Sequence, residues 1–139
     1  GGGFPCGALL MRNDLAKDLG PGALGTTFGG GPLACAVIIA VLDAIEEEGL
    51  LAQVTEVSAL IRETCVRGPV TGIQGAGFLL GLKTTPRAAS VRDALLNKDI
   101  LAGTSADPHI LRLLPALILQ PAHIESLAQA LEKLTDESL

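Results

Sequence analysis

The chain has 139 residues, of which 48% are hydrophobic, 2% aromatic and 18% charged, and its formal net charge is −5. That length holds one ordinary domain, and the negative charge argues against nucleic acid or an anionic membrane as partner. Three Phe with neither Trp nor Tyr leave little to stack on bases. A free-standing domain of this size carries more polar surface, so association with itself or with a further segment is expected.

Phe4 to Met11 reads as a short buried strand leaving a glycine turn, with Ala8, Leu9, Leu10 and Met11 as its apolar part. Asn13 is placed as the cap of a short helical turn over Asp14 to Leu19, closed by Gly20-Pro21-Gly22. Pro32 to Glu48 reads as a helix that is apolar on all sides as far as Leu42 and acidic only at Asp43 and Glu46 to Glu48. A helix apolar all round is expected to be buried, here in a larger domain or at a dimer contact, and Pro32 to Leu42 is too short to span a bilayer. Gly49 ends it. Leu50 to Val66 forms a second helix, with Val54, Val57, Ile61 and Cys65 as its apolar stripe.

Val70 to Lys83 reads as a strand pair bent at Gly75-Ala76-Gly77, with Phe78, Leu79, Leu80 and Leu82 filling the second strand. Thr85-Pro86 opens a third helix to about Lys98, with Val91 and Leu95 inward. Ile100-Leu101 is read as a short strand, Gly103 to Pro108 as a polar loop, and Ile110 to Leu113 as a strand ended by Pro115. Pro121 starts the last helix, whose stripe is Ile124, Leu127, Ala128, Leu131 and Leu134. Helices alternating with short strands imply an α+β domain from about Leu51 onward, so the chain is divided into residues 1–50 and 51–139.

Three sets of side chains carry chemistry. The run Gly25-Thr26-Thr27-Phe28-Gly29-Gly30-Gly31 leads into Pro32 and the apolar helix. Glycines let backbone N–H groups approach a ligand, threonine hydroxyls add donors, and a helix N-terminus favours anions. The stretch is a phosphate-cradling loop or a flexible turn whose threonines satisfy local backbone groups. Arg112 sits between Leu111 and Leu113 in an otherwise apolar strand, where a guanidinium calls for a carboxylate partner. That partner is a ligand, or Arg112 makes a structural salt bridge or an edge contact. Cys6, Cys35 and Cys65 are odd in number, widely spaced and lack metal-ligand grouping, which reads as buried reduced thiols of a cytosolic protein. His109 and His123 have no ligand-spaced companions for a metal, and Glu46 to Glu48 read as a solvated helix end.

The run Gly25 to Ala34 resembles the Gly-Thr-Thr-Phe-Gly-Gly-Asn-Pro-Leu-Ala loop of class III, pyridoxal-phosphate-dependent aminotransferases of fold type I. Gly1 to Ala8 resembles that family's Gly-Gly-Gly-Phe-Pro-Ile-Gly-Ala run, Gly72 to Leu82 its Val-Arg-Gly-x-Gly-x-Leu-Leu-Gly segment, and Ile110 to Leu117 its Leu-Arg-Leu-Leu-Pro-Pro-Leu segment. The four matches occur in order across nearly the whole chain, and the acetylornithine branch is the most similar. Leu24, Gly31 and Gln74 stand where the family often has His, Asn and Arg.

The resemblance implies that the chain is roughly the last third of a longer enzyme: the tail of a large cofactor-binding domain over residues 1–50, then the C-terminal small domain. It implies amino-group transfer from acetylornithine to 2-oxoglutarate in arginine biosynthesis, in a cytoplasmic homodimer. Thr26 and Thr27 would bind the cofactor phosphate of the other subunit, and Arg112 the substrate α-carboxylate. The Schiff-base lysine would precede Gly1. Lys17, Lys83, Lys98 and Lys133 match no catalytic motif and are read as solvated surface, so the chain alone is expected to be inactive. Ornithine or 4-aminobutyrate aminotransferase, a non-catalytic association module, and a small phosphate-binding module are the other readings.

Overall fold

Gly49 divides the chain. Its φ of +61° is left-handed, a conformation that favours glycine, and it stops one helix and starts the next. On its two sides lie two units, Gly1–Glu48 and Gly49–Leu139. The computed structural model describes residues 1–27 and 29–134.

The first unit holds a short helix α1, Asn13–Ala16, and a long one, α2, Pro32–Glu47. Arg12 rather than Asn13 occupies the cap position of α1, and its Nε donates to Asp14 Oδ1 at 2.9 Å. α2 forms because Pro32 sits in its first turn, where the missing N–H costs nothing, and no glycine follows until Gly49. One expectation fails here. Residues 4–11 form no strand, and Leu9 and Leu10 are 74% and 95% exposed. No described strand of this unit lies beside them, so their backbone groups have no ladder to join. Within this chain α2 is uncovered, with none of its residues buried. One long helix without a second layer has nothing to cover its apolar sides.

The second unit runs α3 (Leu50–Thr64), β1 (Val70–Ala76), β2 (Leu79–Thr84), α4 (Ala88–Leu96), β3 (Gly103–Thr104), β4 (Ile110–Leu113) and α5 (Pro121–Glu132). The strands form one antiparallel sheet in the order β1-β2-β4-β3, and the unit is α+β as expected. Register pairs Leu80 with Leu113 and Leu82 with Leu111, which puts these four leucines on one face. They are buried with Val57, Ile61, Val91, Leu95, Ile124, Leu127 and Leu131 from the three helices. The predicted stripes of α3 and α5 are therefore the core. Arg62 of α3 reinforces the packing by donating from Nη2 to Gly75 O at 2.6 Å.

Three boundaries differ from expectation. Leu79 is 62% exposed because it leads β2 on the opposite face from Leu80. α4 begins at Ala88, since the residues before it are tied to the segment ahead of β1 and to the end of β2. Thr85 N–H donates to Pro69 O at 3.0 Å, and Thr84 Oγ1 to Pro86 O at 2.8 Å. The strand before β4 is Gly103–Thr104, inside the predicted polar loop, and Ile100-Leu101 is not a strand. The register sets two backbone positions, not apolar ones, against Arg112 and Leu111. Cys65 is buried, but Cys6 and Cys35 are exposed, because they belong to the unit without a core. Burial pushes the Cys65 thiol above its ordinary range, with Thr64 and Arg67 opposing the rise.

Candidate functional site

Each unit carries one set of the residues in question. In the first, Thr26 and Thr27 are exposed in the loop that precedes α2. A Cβ on Gly29 would stand 3.0 Å from Thr26 Oγ1, so glycine at 29 keeps the space beside that hydroxyl clear. Gly30 has φ +68° with nothing within 4 Å of a would-be Cβ. Gly31 then caps α2 in an extended conformation. The first backbone N–H groups of a 16-residue helix thus follow directly on two hydroxyls and three glycines. The donor set is the one an anion takes: neutral hydroxyls, backbone N–H groups and the positive end of a helix macrodipole.

In the second unit, Arg112 lies on β4 with its side chain exposed on the face opposite the leucines. Its register neighbours are both glycine: Gly81 on β2 and Gly103 on β3. The guanidinium Nε and Nη2 lie 3.4 Å from where a Gly103 Cβ would be. No acidic side chain pairs with Arg112 within salt-bridge distance among the described residues, whose ion pairs are Arg12–Asp14, Arg67–Glu132 and Arg92–Asp93. A planar fork of donors without an internal carboxylate is suited to an external one.

Arg112 also borders a cavity of about 980 Å³ between the β3 edge and α5. Its walls are apolar at Ile61, Ile100, Leu119 and Leu127, and its polar groups are mostly cationic or neutral: Lys98, Lys133 and His123 against Asp99 alone. His123 Nδ1 accepts from the Gln120 backbone N–H at 3.1 Å, which puts the ring proton of the neutral form on Nε2. His109 is held differently. Its Nδ1 lies 3.2 Å from the carbonyls of both Thr84 and Pro86; both are acceptors, so Nδ1 carries the proton there. The four lysines are exposed. Sequence reasoning isolated Arg112 but not its glycine neighbours. Gly81 and Gly103 were visible only as glycines near strands; their pairing with Arg112 is a matter of register.

A comparison with protein-family models matches residues 1–135 to the family described as aminotransferase class-III. The chain belongs to the class-III aminotransferase family. Among curated relatives of this family, it is 42% identical over 142 residues to an acetylornithine aminotransferase of Streptomyces coelicolor, covering 99% of this chain and 35% of that protein. To the acetylornithine aminotransferase of Aquifex aeolicus it is 36% identical, covering 96% of this chain and 35% of the relative. The chain thus spans about a third of the length of the curated relatives it matches. Among solved structures it resembles an acetylornithine aminotransferase from Elizabethkingia anophelis, with TM-score 0.79 and 28% identity over 89% of this chain and 35% of the other. It also resembles an ornithine aminotransferase from Toxoplasma gondii, described with partial occupancy of PLP at its active site. There the TM-score is 0.76, with 25% identity over 88% of this chain and 30% of the other. These neighbours are fold-type I aminotransferases, and the chain described above matches about a third of each of them.

Proposed function

We propose that this chain supplies two parts of the active site of a pyridoxal-phosphate-dependent aminotransferase: a phosphate loop and a carboxylate clamp. Residues 1–50 are assigned to the tail of a large cofactor-binding domain and residues 51–139 to the C-terminal small domain. The names of the curated relatives cited above support an acetylornithine-type reaction. On this reading an amino group passes to 2-oxoglutarate, in arginine biosynthesis and in the cytoplasm.

The observation that carries this reading is Arg112. A guanidinium sits in a central strand, exposed, flanked on both sides by glycine, and without an acidic partner among the described residues. It would hold the α-carboxylate of an amino acid or oxo acid by two parallel hydrogen bonds, orienting the α-carbon and leaving the rest of the ligand to other groups. Thr26 and Thr27 fit a phosphate ester through their hydroxyls, the clearance left by Gly29 and the following helix N-terminus. In a homodimer they would bind the phosphate of the partner subunit's cofactor. Pyridoxal phosphate, when bound, supplies an electron sink for the carbanion left by deprotonation of the amino acid.

The chain's own residues bind and orient; they do not move the proton. Lys17, Lys83, Lys98 and Lys133 are exposed and match no catalytic motif, so the chain by itself is inactive on this reading and the covalent anchor comes from elsewhere in the enzyme. Arg112→Lys, in a full-length class-III aminotransferase whose last third is this chain, is expected to raise KM for 2-oxoglutarate at least tenfold, because a point charge replaces a two-pronged donor. An unchanged KM would overturn the clamp.

A further inference from the structure

Nothing in the backbone of Gly103 calls for glycine. Its φ is not among the positive ones of the chain, and it lies in a strand, β3, where glycine is a poor former. What the residue lacks is a side chain, and the missing volume is in use. Gly103 pairs directly with Arg112 across the β3–β4 ladder, so a Cβ at 103 would stand on the same face of the sheet as the arginine side chain. That Cβ would lie 3.4 Å from both Arg112 Nε and Arg112 Nη2. The guanidinium thus lies over the glycine, toward the β3 edge of the sheet and the cavity that both residues border.

The other side of Arg112 offers no such room. Its second register partner, Gly81, also lacks a Cβ, but that space is taken. Ile110 Cγ2 stands 2.8 Å, and Gln74 Cγ 3.3 Å, from where the Cβ would be, and Ile110 is itself buried. Among the described residues no ion pair ties the Arg112 side chain down, so free space decides where its head lies. One slot is filled and one is open, and the head occupies the open one.

From this we infer that Gly103 is a positioning residue for the carboxylate clamp: the side chain it lacks is the slot that aims Arg112. The inference rests on Arg112 as that clamp. An alanine Cβ at 103 meets the guanidinium at ordinary contact distance and leaves it in place. A β-branched residue fills two of the three directions around Cβ and reaches about 1.5 Å further, one C–C bond. Packed atoms do not share space, so the head would leave the slot. With the Gly81 side filled, it would swing out from the sheet. A two-pronged donor then loses the fixed plane from which it meets a carboxylate. Strand stability moves the other way, because a β-branched residue suits β3 better than glycine does. The two effects have opposite signs, which separates aiming from folding.

The test compares Gly103→Ala, Gly103→Val, Arg112→Lys and the Gly103→Val/Arg112→Lys double variant in a full-length class-III aminotransferase whose last third is this chain. Gly103→Val is expected to raise KM for 2-oxoglutarate roughly tenfold, the size of a lost hydrogen bond to a charged group, with kcat little changed. Gly103→Ala should keep the parent KM. In the Arg112→Lys background the valine should add little, because it acts through the arginine. In the 139-residue chain, Gly103→Val should shift the ¹⁵N signal of Arg112 Nε and melt no lower than the parent, while Gly103→Ala leaves that signal in place. Gly103→Thr, branched in the same way, replaces the valine variant if that one does not fold. A parent-like KM in Gly103→Val beside a raised KM in Arg112→Lys overturns the inference and leaves the clamp standing. So does an undiminished further rise in the double variant, or an unmoved Arg112 signal in a folded Gly103→Val chain. An unchanged KM in both Gly103→Val and Arg112→Lys overturns the inference and the clamp together.

Discussion

The two units contain similar apolar material and use it in opposite ways. α2 is apolar over most of its surface, yet Leu33, Ile39 and Leu42 are each more than half exposed. α5 is an ordinary amphipathic helix, and its Ile124, Leu127, Ala128, Ala130 and Leu131 are all buried. Burial comes from having a second layer to pack on, not from the number of apolar residues. The second unit has a sheet with leucines on one face and three helices to cover it. The first has neither, so its apolar surface is available to other chains or segments.

The largest effects should separate the units by packing. Leu131→Ala empties a fully buried site and is expected to cost about 3 kcal/mol, whereas Ile39→Ala, at a position 58% exposed, should change stability by less than about 0.5 kcal/mol. Chemical denaturation of both variants measures the contrast, and equal costs would break it. Glycines sharpen the comparison next. A Cβ on Gly68, at φ +52°, would fall 2.1 Å from the Leu131 carbonyl oxygen. Gly68→Ala should therefore cost about 2–3 kcal/mol through strain and displacement. Gly30→Ala, at φ +68° in open space, should cost only about 1 kcal/mol, the left-handed penalty alone.

The cysteines give a smaller, pH-dependent contrast. Under native conditions an alkylating reagent should modify Cys6 and Cys35 quickly and spare Cys65. Because folding raises the Cys65 value, the folded state holds its proton where the unfolded chain has lost it. That contribution is fully present below the unfolded thiol value of 9.0 and is lost as pH rises through the folded one. Melting temperature should fall more steeply above pH 9 in the parent than in Cys65→Val, and parallel slopes would contradict the assignment. Smallest of all is the exposed Arg12–Asp14 pair. Its carboxyl is held below the usual range by Arg12, so any contribution is present above the ordinary carboxylate value and lost at lower pH. Exposure and screening make it slight, and Asp14→Asn should leave the denaturation midpoint unchanged.

The same contrast explains what could be read from the sequence. The stripes of α3 and α5 were legible because helical periodicity and burial coincide where a second layer exists. Leu9 and Leu10 follow a strand-like apolar run, but a strand is a statement about a neighbour, and residues 4–11 form none. β3 was hidden because two residues, one of them glycine, carry no periodicity at all. At the site, Arg112 stood out as a charge among leucines. Its two glycine neighbours, Gly81 and Gly103, did not, because register, not composition, sets them beside it.

In the proposed function Thr26 and Thr27 would hold phosphate and Arg112 would hold carboxylate. The direct test is to measure pyridoxal phosphate affinity and KM for 2-oxoglutarate in a full-length class-III aminotransferase whose last third is this chain, comparing Thr26→Ala/Thr27→Ala with Arg112→Ala. The threonine variant should lose cofactor affinity at least tenfold with KM little changed at saturating cofactor, and the arginine variant should do the reverse. Cofactor loss in the arginine variant with an unchanged KM, or full cofactor affinity without the two threonines, would contradict it.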